Sequence, residues 1–410
     1  MSKKQLLIIG FVWPEPKSSA AGSRMLQIVD VFLNADYKIT FATACAKTEN
    51  AFNLSSIGVE ATQIELNNSN FDTFISNLNP NVVLFDRFMI EEQFGWRVLE
   101  QCPNALKVLD TEDFHSLRKG RHQAFKNKEQ FNDNYLYNDF AKREIASILR
   151  CDLTLMISEF EIELLQTKFH IQASQLYYLP FLINIDSEAL KNTPKFEDRN
   201  HIVTIGNFMH EPNWQSVLFL KQQVWPKLSP LLPKVELHIY GSYVSQKAMQ
   251  LHKPKERFFI KGFTENVNTV MQNAKICTAY LPFGAGLKGK LLDAMQNGTP
   301  CVMNSIAAEG MFGKLNSNGI IEDNIDTFIT RTVELYHAKT SWETAQKNGF
   351  KTLNKRFSKS LFEVDFNSKI EELLTNLHTH RQQHFISQIL QHQTLQSSKY
   401  MSKWIEEKNK

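Results

Sequence analysis

The chain has 410 residues, with 46 Lys and Arg against 43 Asp and Glu, a net charge of +3. Hydrophobic residues make up 42% and charged residues 22%, ordinary for a globular chain, which excludes disordered, collagen-like and disulfide-framework classes. The near-neutral balance argues against a dedicated nucleic-acid binder, and the length predicts two domains.

Cys45, Cys102, Cys151, Cys277 and Cys301 form no CxxC and no Cys/His metal pair, so they read as small buried thiols of a reducing compartment. Lys3 and Lys4 precede an apolar run over 6–13, the outline of a short signal peptide. Pro14, Glu15, Pro16 and Lys17 separate that run from the small residues at 18–21, so a buried first strand fits better. No run approaches the ~18 apolar residues of a transmembrane helix. A cytoplasmic protein is expected, with peripheral contact at the inner membrane face as a further expectation.

Short runs rich in Val, Ile, Leu and Phe recur along the chain with helical segments between them. The first half carries them at 6–11, 38–43, 62–66, 81–86, 106–111 and 153–158; the second at 202–207, 235–240, 258–263, 276–282 and 299–304. Near-continuous runs such as 82–85 suit central parallel strands, and the more alternating 62–66 and 235–240 suit positions nearer an edge. Met25, Ile28, Val29 and Phe32 mark the apolar stripe of the first helix. The repeated βαβ pattern predicts two doubly wound α/β domains, 1–180 and 200–370, joined across the polar stretch 184–200. Beyond 370 the chain reads as helical, through Ile370, Leu373, Leu374 and Leu377. A last segment, 385–410, carries Ile386, Ile389, Tyr400, Met401 and Trp404 beside Lys399, Lys403, Lys408 and Lys410. Packing back on the first domain is expected for 371–410; an interfacial or partner-binding helix is the alternative.

Ligands of an open parallel sheet sit beyond the strand C-termini, at helix starts. Three loops meet that description. Residues 13–24 follow the first strand, and their small residues admit either a phosphate or an ordinary Ser-capped helix. Asp110-Thr111-Glu112-Asp113-Phe114-His115-Ser116 follows another strand and offers acid/base groups, or simply a capped, solvated loop. Residues 282–300 place Gly284, Gly286 and Gly289 with Lys288 and Lys290 between a strand and a helix, which suits a diphosphate held by backbone donors and ammonium groups. The alternative is a glycine-bearing turn with solvated lysines. GxGxxG is spelled there but falls late in the chain, and Walker A and HExxH patterns are absent. His378-Thr379-His380 reads as a solvated polar stretch, so no metal is expected.

At this third loop the chain resembles GT-B glycosyltransferases of the family 4 type. Asp293-Ala294-Met295-x-x-Gly298-x-Pro300 carries the resemblance. Ala20-Ala21-Gly22-x-Arg24, the stretch from Gly206 to Asn213, Tyr240-Gly241, Lys261-Gly262-Phe263 and Ala308-Glu309-Gly310 follow it in the family's order, over about 5–370. Two departures stand out. The first of the family's two spaced glutamates falls on Ala285 and the second on Asp293. The Arg/Lys pair after the first strand of the second domain is replaced by His210 and Asn213.

The resemblance implies two Rossmann-like domains facing a cleft and transfer of a sugar from a nucleotide-diphosphate donor to a glycan or lipid-linked acceptor. It implies retention at the anomeric carbon and no metal or other cofactor. On this basis His115, Lys290, Asp293 and Glu309 are the expected catalytic group. Gly22, Arg24, Gly206, Asn207, His210, Asn213, Gly241, Lys261, Gly262, Phe263, Gly284, Ala285, Gly286, Leu287 and Lys288 are the expected donor ligands. Lys288 and Lys290 take over phosphate neutralisation. The basic cluster Arg118, Lys119, Arg121, Lys126 and Lys128 is expected to meet an anionic or lipid-linked acceptor, or to be a solvated loop. A sugar-nucleotide epimerase and a non-catalytic nucleotide-sugar or glycan-binding subunit remain as alternatives.

Overall fold

A computed structural model describes residues 3–186, 188 and 192–409. Ser187, Ala189, Leu190 and Lys191 of the expected linker, and Lys410 of the basic tail, lie outside the described residues.

The first lobe is built on a seven-stranded parallel sheet. Its strands are β1 (Gln5–Gly10), β2 (Lys38–Thr43), β3 (Glu60–Gln63), β4 (Val82–Asp86), β5 (Leu106–Asp110), β6 (Leu153–Met156) and β7 (Leu176–Tyr178), in the order β3-β2-β1-β4-β5-β6-β7. The second has six parallel strands, β8 (His201–Ile205), β9 (Leu237–Tyr240), β10 (Phe258–Gly262), β11 (Ala274–Ala279), β12 (Cys301–Met303) and β13 (Gly319–Ile321), in the order β10-β9-β8-β11-β12-β13. Both orders reverse once, between β1 and β4 and between β8 and β11. Loops diverge at those two places and leave a crevice at the strand C-termini.

Apolar side chains alternate to the two faces of each sheet. In the first lobe Leu6 and Ile8 join one core cluster and Leu7 and Ile9 the other. The strand expected at 62–66 lies two residues earlier; Ile64 is buried at its end and Leu66 is exposed. β3 is an edge strand. β9 is not: it lies between β8 and β10, with Leu237, His238 and Ile239 all buried. β7 and β13, three residues each, fall below the length at which an apolar run is visible in the sequence.

The chain crosses between lobes twice, side by side. Ile183 N–H donates to Phe357 O at 2.7 Å, and Lys359 N–H to Ile183 O at 3.0 Å. After the second crossing the chain rejoins the first lobe earlier than residue 371. Phe366, Ile370 and Leu373 of the helix Glu363–Thr375 enter the first lobe's core, so the expected boundary at 370 falls inside a first-lobe helix.

The tail packs back on the first lobe. Arg381 donates to both carboxylate oxygens of Asp152 at 2.8 Å and to Pro103 and Ala105 carbonyls. Gln391 reaches Arg150 O at 2.6 Å, and Arg97 reaches Ser402 Oγ at 3.2 Å. His380 is buried with Nε2 on Asp152 O, so this stretch is not the solvated one expected. The outer side of the helix Phe385–Lys408 exposes Phe385, Ile386, Ile389, Tyr400, Met401 and Trp404. Among the described residues no helix is long and apolar enough to cross a membrane.

Candidate active site

Lys290, after β11, donates from Nζ to Oδ1 of Asn213, after β8, at 3.1 Å. The contact spans the reversal in strand order, where a parallel sheet presents its crevice. Beside it lies a small pocket of about 40 Å³ lined by Lys17, Ser18, Ile205, Gly206, Asn207, Gly241, Ser242, Phe263 and Thr264. The loops after β8, β9 and β10 form one wall and the loop after β1 the other. They meet closely because Gly241 has no side chain: a Cβ there would stand 1.9 Å from Gly206 O. Lys17 pairs with Glu265 at 2.6 Å and Tyr243 OH donates to Glu15 at 2.8 Å, so the first lobe's loop already touches the second. Ligand clefts usually enclose roughly 300–1,000 Å³, so the lobes must part somewhat to admit a nucleotide sugar.

Burial lowers the Lys290 ammonium to about 8, with Lys288 acting in the same direction. Asp293, one turn further along the helix Gly289–Gln296, is pushed up to about 7 by burial, partly offset by Lys290. His210 opens to solvent at the cleft but is crowded by protein at longer range. That crowding, then the Arg118 guanidinium, lower its imidazole below the ordinary histidine value.

The first lobe contributes a dense polar layer. His115 Nδ1 lies 3.0 Å from Asp113 O and 3.2 Å from Glu144 Oε1. Glu144 Oε2 also accepts from Ser116 N–H and Oγ. Arg118 grips Asp113 with two hydrogen bonds at 2.7 and 3.1 Å. Burial alone would raise the Asp113 carboxyl, but Arg118 and His115 overcome it and hold it well below the carboxylate range. Arg121 crosses to the second lobe and forms a bidentate pair with Glu309 at 2.8 and 2.7 Å.

Several expected ligands are committed elsewhere. Arg24 is buried; its guanidinium donates to Asp110 at 2.9 Å and to Leu179 and Pro180 carbonyls, so it is a strut inside the first lobe. Gly22 packs against the Glu15 backbone and its N–H is capped by Ser19 Oγ at 3.0 Å, the ordinary Ser-cap alternative. Lys261 places its ammonium over the Phe259 ring, and neither it nor Gly262 lines the pocket. Lys288 folds back to donate to Ala285 O and Gly286 O at 3.1 and 2.5 Å. Ala285 packs in a first-lobe core cluster and Leu287 in a second-lobe one. The basic cluster divides. Arg118 and Arg121 pair with Asp113 and Glu309, while Lys119, Lys126 and Lys128 remain on the surface. Gly206, Asn207, Gly241 and Phe263 line the pocket, with Asn213, His210, Lys290 and Asp293 grouped nearby.

Four residues of this region had not been singled out. Arg87, between Phe11 and a cluster of acids, holds φ +73° at the start of the helix Phe88–Gln101. A left-handed arginine marks a constrained cleft residue, but no sequence signal reveals it. Glu161 accepts from Gly286 N–H at 2.7 Å, and Ser242 and Tyr243 come from a short loop after β9. Ser242 and Tyr243 follow directly on Tyr240-Gly241, a signal that was available. Among the described residues no group of three His, Cys, Asp or Glu side chains converges as a metal-ligand set.

Two doubly wound lobes, joined by paired crossings and facing each other across strand C-termini, define the GT-B fold of glycosyltransferases. Residues 199–338, most of the second lobe, match the family described as Glycosyl transferases group 1. Solved structures similar over both lobes include a sucrose-phosphate synthase from Thermosynechococcus elongatus, with 14% identity and TM-score 0.66 over 91% of this chain and 100% of that one. TarM of S. aureus, in a complex with UDP, gives 11% identity and TM-score 0.68 over 90% and 100%. HepE of Anabaena, in complex with UDP-glucose, gives 11% and 0.63 over 91% and 99%. A comparison with curated proteins finds no match.

Proposed function

We propose that the protein moves a sugar from a nucleotide-diphosphate donor to a glycan or lipid-linked acceptor, with retention at the anomeric carbon and without a metal or other cofactor. The observation that carries this reading is the Lys290–Asn213 contact across the strand-order reversal, beside a pocket formed at the ends of β8, β9 and β10. The nucleoside lies along Gly206, Asn207, Gly241 and Phe263, with its diphosphate toward Lys290. As the bond from the anomeric carbon to the diphosphate breaks, negative charge grows on the leaving group, and a pre-placed ammonium stabilises it without solvent reorganisation. Asp293 holds ribose or sugar hydroxyls, Glu309 faces the sugar ring as it gains positive charge, and His115 approaches from the first lobe. The acceptor oxygen then bonds the anomeric carbon on the face the diphosphate leaves and passes its proton to an oxygen of that diphosphate. The UDP and UDP-glucose complexes of the similar structures support a donor of this class.

The outward apolar face of the helix Phe385–Lys408, edged by Lys403 and Lys408, supports peripheral contact with a lipid surface, which a cytoplasmic protein would make at the inner membrane face. Co-sedimentation with anionic vesicles, abolished by Trp404→Ser with Met401→Ser, tests that part alone.

A second reading, a non-catalytic nucleotide-sugar binder, draws on one observation: Gly286 N–H and the Lys288 ammonium are already satisfied within the protein. One experiment separates the two. A thermal-shift panel of UDP-, GDP- and ADP-sugars selects the donor, because a ligand bound only by the native state raises its melting point. Nucleotide release from that donor is then followed with and without acceptor extract. A binder shifts the melting point and releases nothing; the transferase releases nucleotide, and Lys290→Ala stops it while the fold remains.

A further inference from the structure

The glycine loop is gripped from the first lobe at several points. Arg121 donates to Gly284 O at 2.8 Å. Glu161 accepts from Gly286 N–H at 2.7 Å. The His122 ring stacks on Phe283 with centroids 4.3 Å apart. Gly289 faces Ala20 so closely that a Cβ would sit 2.7 Å from it. Arg121 is the one of these that also reaches Glu309, with both arms of its guanidinium. Its side chain is 11% exposed and that of Glu309 16%, and the rings of Phe131 and Phe160 lie 5.6 and 5.7 Å from the guanidinium carbon.

An exposed ion pair would say little. This one is shielded, planar and bidentate, the geometry that fixes a carboxylate's orientation as well as its charge. Glu309 itself follows the short helix Ser305–Ala308 and precedes Gly310, which is in the left-handed region, so its local chain offers little rigidity. The residue that orients its carboxylate belongs to the opposite lobe.

We propose that Arg121 is a positioning residue. It holds the Glu309 carboxylate and the Gly284–Gly286 backbone in their reactive arrangement, so the sugar subsite is complete only when the first lobe is docked. This rests on the reading of the protein as a nucleotide-sugar transferase. Docking and water exclusion are then one event: the contact that assembles the subsite also closes it, which favours transfer over hydrolysis.

Two measurements test this. The first needs no turnover: hydrogen exchange at 282–290 and 305–312 in the full chain. Arg121→Ala should lose protection there and nowhere else, whereas unchanged exchange at those segments overturns the proposal. The second uses UDP-glucose first, then the sugar nucleotide that gives the largest thermal shift. Arg121→Ala should lower kcat by about tenfold or more while donor KM and UDP affinity stay within about threefold, because the nucleotide's contacts are elsewhere. Added guanidinium should restore part of kcat in Arg121→Ala but not in Arg121→Ala/Glu309→Gln, and Arg121→Ala should add little to Glu309→Gln alone. An unchanged kcat, a faster Arg121→Ala enzyme, or full additivity with Glu309→Gln overturns the proposal; the faster enzyme would mean that Arg121 withholds Glu309. If the wild-type chain binds UDP but turns over no donor, the transferase reading fails instead, and the exchange result still decides the contact.

Discussion

Lys290 Nζ stands 3.1 Å from Asn213 Oδ1, so a cation from the helix after β11 is aimed by an amide from the loop after β8. Burial keeps that ammonium near 8, well below the ordinary lysine value. A diphosphate placed beside it would raise the value again, so binding takes up a proton at alkaline pH.

UDP affinity should therefore fall as pH rises through 8, by about tenfold or more between pH 7 and 9.5. Calorimetric titration across that range checks it. Lys290→Arg, charged throughout, should flatten the profile, and Lys290→Ala should lower turnover by about 10²–10³-fold. An unchanged slope in Lys290→Arg would place the titrating group elsewhere.

Asp293 carries a second pH signature, of opposite origin. Its folded value of about 7 lies above the ordinary carboxylate value because burial penalises the charge. A raised acid costs stability above its folded value, and that cost fades as pH falls through 7 toward 4. Asp293→Asn should thus be more stable than wild type at pH 8, by on the order of 1–2 kcal/mol, with the gain reduced by more than half at pH 5. Urea unfolding at both pH values measures the difference, and comparing the pair cancels the titration of Glu112 and Glu161. An equal gain at both values would exclude ionisation as its cause.

Arg24 separates a structural from a ligand-binding role. Its partner Asp110 is fully buried, and the arginine itself is 1% exposed. Arg24→Met leaves an uncompensated carboxylate in the core, which costs about 3–5 kcal/mol. Denaturant unfolding should show that loss, while the UDP affinity of the protein that remains folded should be unchanged. A specific fall in UDP affinity with stability intact would return Arg24 to the donor site.

The case of Arg24 shows where the sequence was legible and where it was not. Eleven apolar runs marked eleven of the strands because central parallel strands need continuous β-branched and aliphatic cover. The glycine loop was found because few other loops combine small residues with cations at a helix start. Partners were harder. Arg24 sits next to Gly22 in a ligand-like loop, yet it also precedes Ile28 by four residues and Val31 by seven, on the helix's buried stripe. That spacing was a readable sign of burial. Lys288 and Glu309 had no such sign, since their partners Gly286 O and Arg121 depend on loop closure and on how the lobes meet.

Gly284 and Gly286, two residues apart, give a paired test of that meeting. Gly286 has φ +62°, and a Cβ on it would stand 2.8 Å from the Asp113 Cβ of the first lobe. Gly286→Ala therefore meets two costs, roughly 1–2 kcal/mol for the left-handed backbone and a steric one that only parting the lobes relieves. At Gly284 the nearest atom to an added Cβ is Lys288 Cε at 3.5 Å, an ordinary contact. Gly284→Ala should leave turnover within about twofold, whereas Gly286→Ala should lower kcat and expose the 282–290 segment to hydrogen exchange. The comparison isolates the lobe contact from the phosphate-binding character of a glycine loop. If the loop worked only by offering bare backbone to a ligand, both substitutions would impair donor binding. If docking against Asp113 is what matters, only Gly286→Ala will lower turnover, and donor binding will change little in either variant.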